Sequence, residues 1–238
     1  LILKTRYFWT HQKARRLVCS NCLIVSKTKP DVLLLHGVLM NTVEMLYLER
    51  QLSHQGFTVH SMHYASVRRN IAENTRLLHQ KVASLNLPEL HIVAHSLGGI
   101  MAMRLLQQYP DLPSGRVVML GTPLNGSYIA KRLMNWPLVN RLLENSMADG
   151  LDGQSLPPNS LGRDVGMIAG SSNAGLGLVI GGLPGKSDGT VLLSETQHPM
   201  LKEHIILDVS HTGMIFSQKI AHLVGNFLDT GSFSEPDQ

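Results

Sequence analysis

The 238-residue chain is 43% hydrophobic and only 16% charged, long enough to bury a substantial core as one domain and too apolar for a disordered or coiled-coil protein. Its formal net charge of +4 is concentrated at one end: residues 1–30 hold seven Lys/Arg and no acid, leaving 14 of the 21 Lys/Arg against all 17 Asp/Glu in the body. A mildly acidic body excludes a Lys/Arg-lined groove and hence a nucleic-acid partner.

The basic segment 1–30 carries Lys4, Arg6, Lys13, Arg15, Arg16, Lys27 and Lys29 with Tyr7, Phe8 and Trp9 among them. This composition could lie on an anionic membrane surface, while a solvated arm or a helix packed on the core is the favoured reading. Cys19 and Cys22 form a lone C-x-x-C without a second pair or a His pair at ligand spacing, so they read as incidental thiols. No stretch has the apolar length of a spanning helix, nor does the N-terminus have the hydrophobic centre of a signal peptide. A cytoplasmic or membrane-peripheral location is favoured, though with Leu rather than Met at position 1 the compartment stays open.

From residue 31 onward, short apolar runs alternate with stretches of helical spacing. "DVLLLHG" (31–37) is a continuous apolar run ending in Gly, as a buried parallel strand should be. Residues 42–55 predict a helix presenting Val43, Leu46, Tyr47 and Leu52 on one face, with Gly56 as its C-terminal cap. Strands follow at 56–65, 90–96, 115–123, 164–171 and 204–210; helices fall at 70–86, 99–109 and 213–228. This rhythm predicts an α/β fold, a mostly parallel sheet with helices on both faces. Residues 124–163 depart from it with an amphipathic run and then a polar stretch punctuated by Pro and Gly. They read as a small cap or lid insertion over the sheet's carboxyl edge; a crossover helix plus a long surface loop fits nearly as well. The domain reading is a single unit over 31–238 behind the basic segment.

The chemistry concentrates at "VAHSLGG" (93–99), where a strand ends at Ser96 and a helix begins at once. So sharp a corner tolerates only small neighbours, which accounts for Ala94 two residues before the serine and Gly98 two after. A serine hydroxyl becomes a nucleophile when an imidazole accepts its proton and a carboxylate fixes the imidazole's tautomer.

With "LLLHG", "AHSLGG", "MLGTPLNGS", "SDGTV" and "SHTGM" in this order, residues 30–230 resemble the α/β-hydrolases, specifically the lipase-like and esterase-like serine hydrolases. The departure is Ala94, where the G-x-S-x-G pattern has its first Gly. The resemblance implies Ser96 as nucleophile, an acid after it, then the histidine. Asp188, in "KSDGTV", looks like the family's acid turn; Asp164, Asp208 and Glu195 compete, although Asp208 is expected inside a strand. His211, after the last strand and before the last helix, occupies the family's place for the base, a context that His198, His204 and His222 lack. His95 is expected to orient the corner. The oxyanion donors would be the backbone N–H groups of Leu97, at a helix N-terminus, and Val38. Gly37 would permit the turn that aims Val38, His36 would brace it by hydrogen bonding, and Thr122 and Pro123 read as structural.

The expected function is therefore carboxylic-ester hydrolysis through an acyl-enzyme on short to medium acyl or lipid-like esters, with no metal and no cofactor. Leu39, Leu124, Ile129, Leu133, Met134, Trp136 and Leu138 are the candidate substrate-binding residues. Acyl transfer by the same residues is one alternative, and a non-catalytic binding protein on the same fold is another.

Overall fold

The computed structural model describes residues 29–134, 156, 161–175, 177 and 182–234. The basic segment up to Thr28, the two cysteines, Trp136 and Leu138 lie outside the described residues, as does most of the predicted cap.

Six strands form one parallel sheet in the order β2-β1-β3-β4-β5-β6. They are β1 (Asp31–Leu35), β2 (Thr58–Ser61), β3 (Leu90–His95), β4 (Val117–Leu120), β5 (Val165–Gly170) and β6 (Glu203–Leu207). The helices between them are α1 (Leu46–His54), α2 (Ile71–Leu85), α3 (Leu97–Gln108), α4 (Tyr128–Leu133) and α5 (Gln218–Thr230). Among the described residues, no helix is long and apolar enough to cross a membrane.

Alternation along each strand splits the apolar residues between two cores. Leu33, Leu35, Ile92, Ala94, Val117, Met119, Val165 and Met167 face α2 and α3. Val32, Leu34, Val93, Val118, Leu120 and Ile168 face α1 and α5. Burial on both faces is why these strands read as continuous apolar runs. Each fully buried Leu or Val side chain contributes about 1.5–3 kcal/mol through its removal from water.

Three expectations need correction. The predicted first helix starts later, because residues 42–45 form turns and the helix begins at Leu46. The buried face is consequently Met45, Leu48 and Leu52, while Val43 stands 66% exposed. Gly56 does end this segment, at φ +92 with its N–H on Ser53 O. The last strand stops at Leu207, so Asp208 lies just past it and is exposed rather than turned into the sheet. The last helix is interrupted: a 3-10 turn (Gly213–Phe216) precedes Ser217, whose hydroxyl caps α5 by accepting Ile220 N–H.

Candidate active site

In the strand order, β1 and β3 are neighbours, with Leu35 beside Ala94. The chain reverses its direction of travel across the sheet at this point, the place outside the carboxyl ends of the strands where open parallel sheets bind their ligands. The loop after β1 and the corner after β3 therefore share one rim.

At that corner Ser96 has φ 55 and ψ −125, outside the regions open to most side chains. Its backbone is pinned in three ways: its N–H donates to Leu120 O (2.8 Å), and its carbonyl accepts Gly99 N–H (3.0 Å) and Thr122 Oγ1 (3.0 Å). Thr122 is thus a brace for the corner. A Cβ on Gly98 would sit 2.7 Å from the carbonyl oxygens of Leu35 and His36, so only glycine lets α3 start this close to β1. Ala94, by contrast, points its methyl into the core and is fully buried there, which is why alanine serves where glycine is usual.

The loop after β1 is tied from outside. His36 Nδ1 bonds Gly37 O (2.8 Å), leaving Nε2 to accept Tyr64 N–H (3.4 Å), and Tyr64 Oη donates to His36 O (2.5 Å). The two rings stack at 4.3 Å. Burial, foremost, lowers the His36 pKa. Leu39, at φ +58, gives its N–H to Ser66 Oγ (3.2 Å). Among the described residues neither Val38 N–H nor Leu97 N–H has an acceptor; Leu97 follows the serine directly, and a Cβ on Gly37, the residue before Val38, would lie 3.2 Å from Ser96 Cβ.

Asp188 and His211 meet across the sheet's rim. His211 Nδ1 bonds Asp188 Oδ2 at 2.6 Å, and His211 N–H donates to Asp188 O at 2.9 Å. The other carboxylate oxygen, Oδ1, accepts Thr190 N–H (2.9 Å) and Val191 N–H (2.7 Å). The carboxylate is 1% exposed and the imidazole 9%. Space for the pair comes from Gly121, at φ +57: a Cβ there would lie 3.0 Å from both Asp188 Oδ2 and His211 Nδ1.

His95 joins this pair to the serine. It precedes Ser96 in the chain, its Nε2 donates to His211 O (3.1 Å), and the two rings lie 4.6 Å apart. That bond leaves Nδ1 as an acceptor, buried without a partner among the described residues, and burial pushes the His95 pKa down to about 3. A neutral His95 therefore orients rather than titrates. No hydrogen bond joins Ser96 Oγ to His211 among the described residues; Ser96 is 8% exposed and His211 7%.

The competing residues lie elsewhere or are otherwise engaged. Asp164 sits at the amino end of β5 in ion pairs with Lys202 (2.8 Å) and Arg116 (3.5 Å). Glu195 has both oxygens on backbone amides. His204 Nε2 pairs with Thr196 Oγ1 and His198 Nδ1 accepts Met200 N–H. His222 is an exposed residue of α5. Of the candidate pocket residues, Leu124 (1% exposed) and Ile129 (4%) are buried, Leu133 and Met134 are half-buried against the α2/α3 core, and Leu39 is 70% exposed. Among the described residues, no cluster of three or more His, Cys, Asp or Glu is placed to hold a metal ion.

Sequence reasoning missed Gly121, Tyr64 and Ser66. A Gly directly after a strand was the available signal for Gly121; the other two sit 28 and 27 residues from their partners and left no local mark.

This architecture is the α/β-hydrolase fold. The chain superposes on the mature form of the Bacillus licheniformis lipase BlEst2 with a TM-score of 0.70 at 19% identity, covering 87% of this chain and 93% of that one. For the pyrethroid hydrolase PytH the TM-score is 0.62 at 14% identity, over 86% and 99%. For the metagenomic carboxyl esterase MGS0156 it is 0.58 at 16%, over 78% and 65%. Comparison with protein-family models gives no match, and neither does comparison with curated protein sequences.

Proposed function

We propose that the protein is a serine carboxylic-ester hydrolase, with Ser96 as nucleophile, His211 as general base and Asp188 as the carboxylate that fixes the imidazole. The observation that carries this reading is the buried Asp188–His211 pair on the same rim as a serine held in a strained corner. The fold it shares with lipases and esterases supports it.

Asp188 Oδ2 accepts a hydrogen bond from His211 Nδ1–H, which leaves Nε2 as the basic nitrogen. With an ester bound at this rim, Ser96 Oγ attacks the carbonyl carbon and passes its proton to Nε2. The carbonyl oxygen gains the negative charge and meets the unused amides of Val38 and Leu97, the latter at the positive end of α3. Each such donor is worth roughly 3–4 kcal/mol of transition-state stabilisation. Collapse breaks the bond to the alcohol, which leaves with the proton from His211. Water then adds to the acyl-Ser96, giving its proton to Nε2, and the acid departs as Ser96 recovers its hydrogen. The Ser96–His211 hydrogen bond belongs to the substrate complex; such bonds are often long or misaligned in free enzymes.

Leu133 and Met134, half-buried at the end of α4, and Leu39 at the rim supply an apolar border suited to short to medium acyl or lipid-like esters. The test is hydrolysis of a nitrophenyl ester series of rising acyl length, with fluorophosphonate labelling of the serine. Ser96→Ala should abolish both; full activity in that variant would refute the assignment.

A further inference from the structure

Glu195 is a buried carboxylate that the proposed chemistry does not use, and its bonds span two elements of the site. Oε2 accepts Leu192 N–H at 2.8 Å and Oε1 accepts Tyr128 N–H at 2.5 Å. Leu192 pairs with Ser187 as the closing bridge of the turn that presents Asp188. Leu193 N–H on Lys186 O and Asp188 N–H on Val191 O complete that turn. Tyr128 is the first residue of α4, the root of the predicted cap.

Asn125 closes the same junction from the opposite strand loop. Its N–H donates to Glu195 O (3.0 Å), and its side-chain amide donates to Ser194 O (3.1 Å) and Gln197 O (2.6 Å). The loop leading into α4 and the segment following the acid turn are thus laced together. Gly121, at the start of that loop, is the residue against which the Asp188 carboxylate and the His211 ring rest. A shift of either strand loop would move the floor under the pair.

We propose that Glu195 and Asn125 form a bracket that positions the Asp188–His211 pair and locks it to the root of α4, making Glu195 a positioning residue. This rests on the hydrolase reading for its kinetic consequence and on geometry alone for its structural one. Three features favour it over a purely stabilising role. Glu195 is 7% exposed and takes up main-chain amides only, so its carboxylate is built into the junction. Burial raises its pKa with Asp188 nearby, a cost that a neutral side chain would avoid. The acid turn is also held by side chains at both ends, Asp188 Oδ1 at its tip and Glu195 Oε2 at its base.

The test compares Glu195→Ala, Glu195→Gln and Asn125→Ala with Arg163→Ala in the full chain. Arg163 donates to four carbonyls, those of Leu90, Gly115, Leu112 and Pro113, at the amino end of the sheet, so its loss lowers stability far from the site. The readouts are Tm, kcat and KM on nitrophenyl butyrate, the pH–rate profile, and the downfield proton resonance of the hydrogen shared by His211 and Asp188. Glu195→Ala should lower kcat on the order of 10- to 100-fold, the scale of a misplaced catalytic group, and shift or broaden the resonance. Glu195→Gln, which keeps one acceptor, should recover part of both. Asn125→Ala should change them in the same direction with Glu195 intact, which covers the case that Glu195→Ala fails to fold. Arg163→Ala should lower Tm while leaving resonance and profile as in the parent.

If the Glu195 and Asn125 variants lose only Tm and keep the parent's kcat, pH profile and resonance, the bracket is overturned. An active Ser96→Ala would instead remove the hydrolase reading. The resonance would still judge the bracket, since it requires no turnover.

Discussion

Asp188 holds His211 twice, by side chain and by main chain: Oδ2 lies 2.6 Å from Nδ1, and the Asp188 carbonyl accepts the His211 amide at 2.9 Å. The second bond fixes where the histidine sits, while the first selects which ring nitrogen carries hydrogen. Placement and tautomer are thus controlled by different atoms of one residue and can be separated by substitution.

Asp188→Asn preserves the main-chain bond and the shape of the turn. It presents an amide N–H₂ to Nδ1, which favours the wrong tautomer, or at best a weaker carbonyl acceptor in place of the carboxylate. Ester hydrolysis should fall about 10,000-fold, the scale seen for this exchange in serine proteases, with the fold retained by circular dichroism. Asp164→Asn, whose side chain pairs with Lys202 and Arg116 at the amino end of β5, should leave kcat unchanged. The reverse ranking of the two variants would move the acid away from Asp188.

Ser96→Gly separates strain from chemistry. A non-glycine residue at φ 55, ψ −125 stores on the order of 1–3 kcal/mol, which glycine releases. Glycine's extra freedom in the unfolded chain takes back about 0.5–1 kcal/mol. The three backbone bonds at this corner involve no Ser96 side-chain atom, so they persist. The net expectation is about 1 kcal/mol of added stability, a rise of roughly 2–4 °C in Tm for a chain of this size, with hydrolysis abolished. Scanning calorimetry on parent and variant decides; an unchanged or lower Tm would mean the corner is not strained.

The parts of this molecule legible in the sequence are those set by local constraints. A buried parallel strand writes its apolar run into consecutive residues, and a strand-to-helix corner demands small residues two positions either side of Ser96. The first helix begins later than its amphipathic pattern suggests, because such a pattern does not mark where coiling begins. Val43 belongs to a turn, and moving the start to Leu46 transfers the buried face to Met45, Leu48 and Leu52. At the last strand "HIIL" gives no alternation to mark its end, so the predicted strand ran through Asp208. Glu195 was legible only as one acid among several, since its bond to Tyr128 spans 67 residues. Gly121 acquires its role only once Asp188 and His211 have been brought against it.

His95 carries a prediction about acid stability. His95 is 1% exposed, with Nε2 donating to His211 O and Nδ1 lacking a partner among the described residues. Burial, chiefly, and the neighbouring charge of His211 depress its pKa from 6.5 to about 3, against a smaller opposing effect of the bond to the His211 carbonyl. Between those two values the unfolded chain binds a proton that the native state refuses, so the unfolded state gains protons on acidification. Stability from this group is complete above about pH 6.5 and is lost as pH falls toward 3, at a slope of up to roughly 1.4 kcal/mol per pH unit. His36 and His91, also lowered mainly by burial, add losses of the same sign. His95→Gln keeps an amide donor for the His211 carbonyl but cannot titrate. Its Tm should therefore fall less steeply than the parent's between about pH 6.5 and 5, as measured by calorimetry at matched ionic strength. Parallel Tm curves for the two proteins would assign the acid loss to other groups and remove His95 from the account.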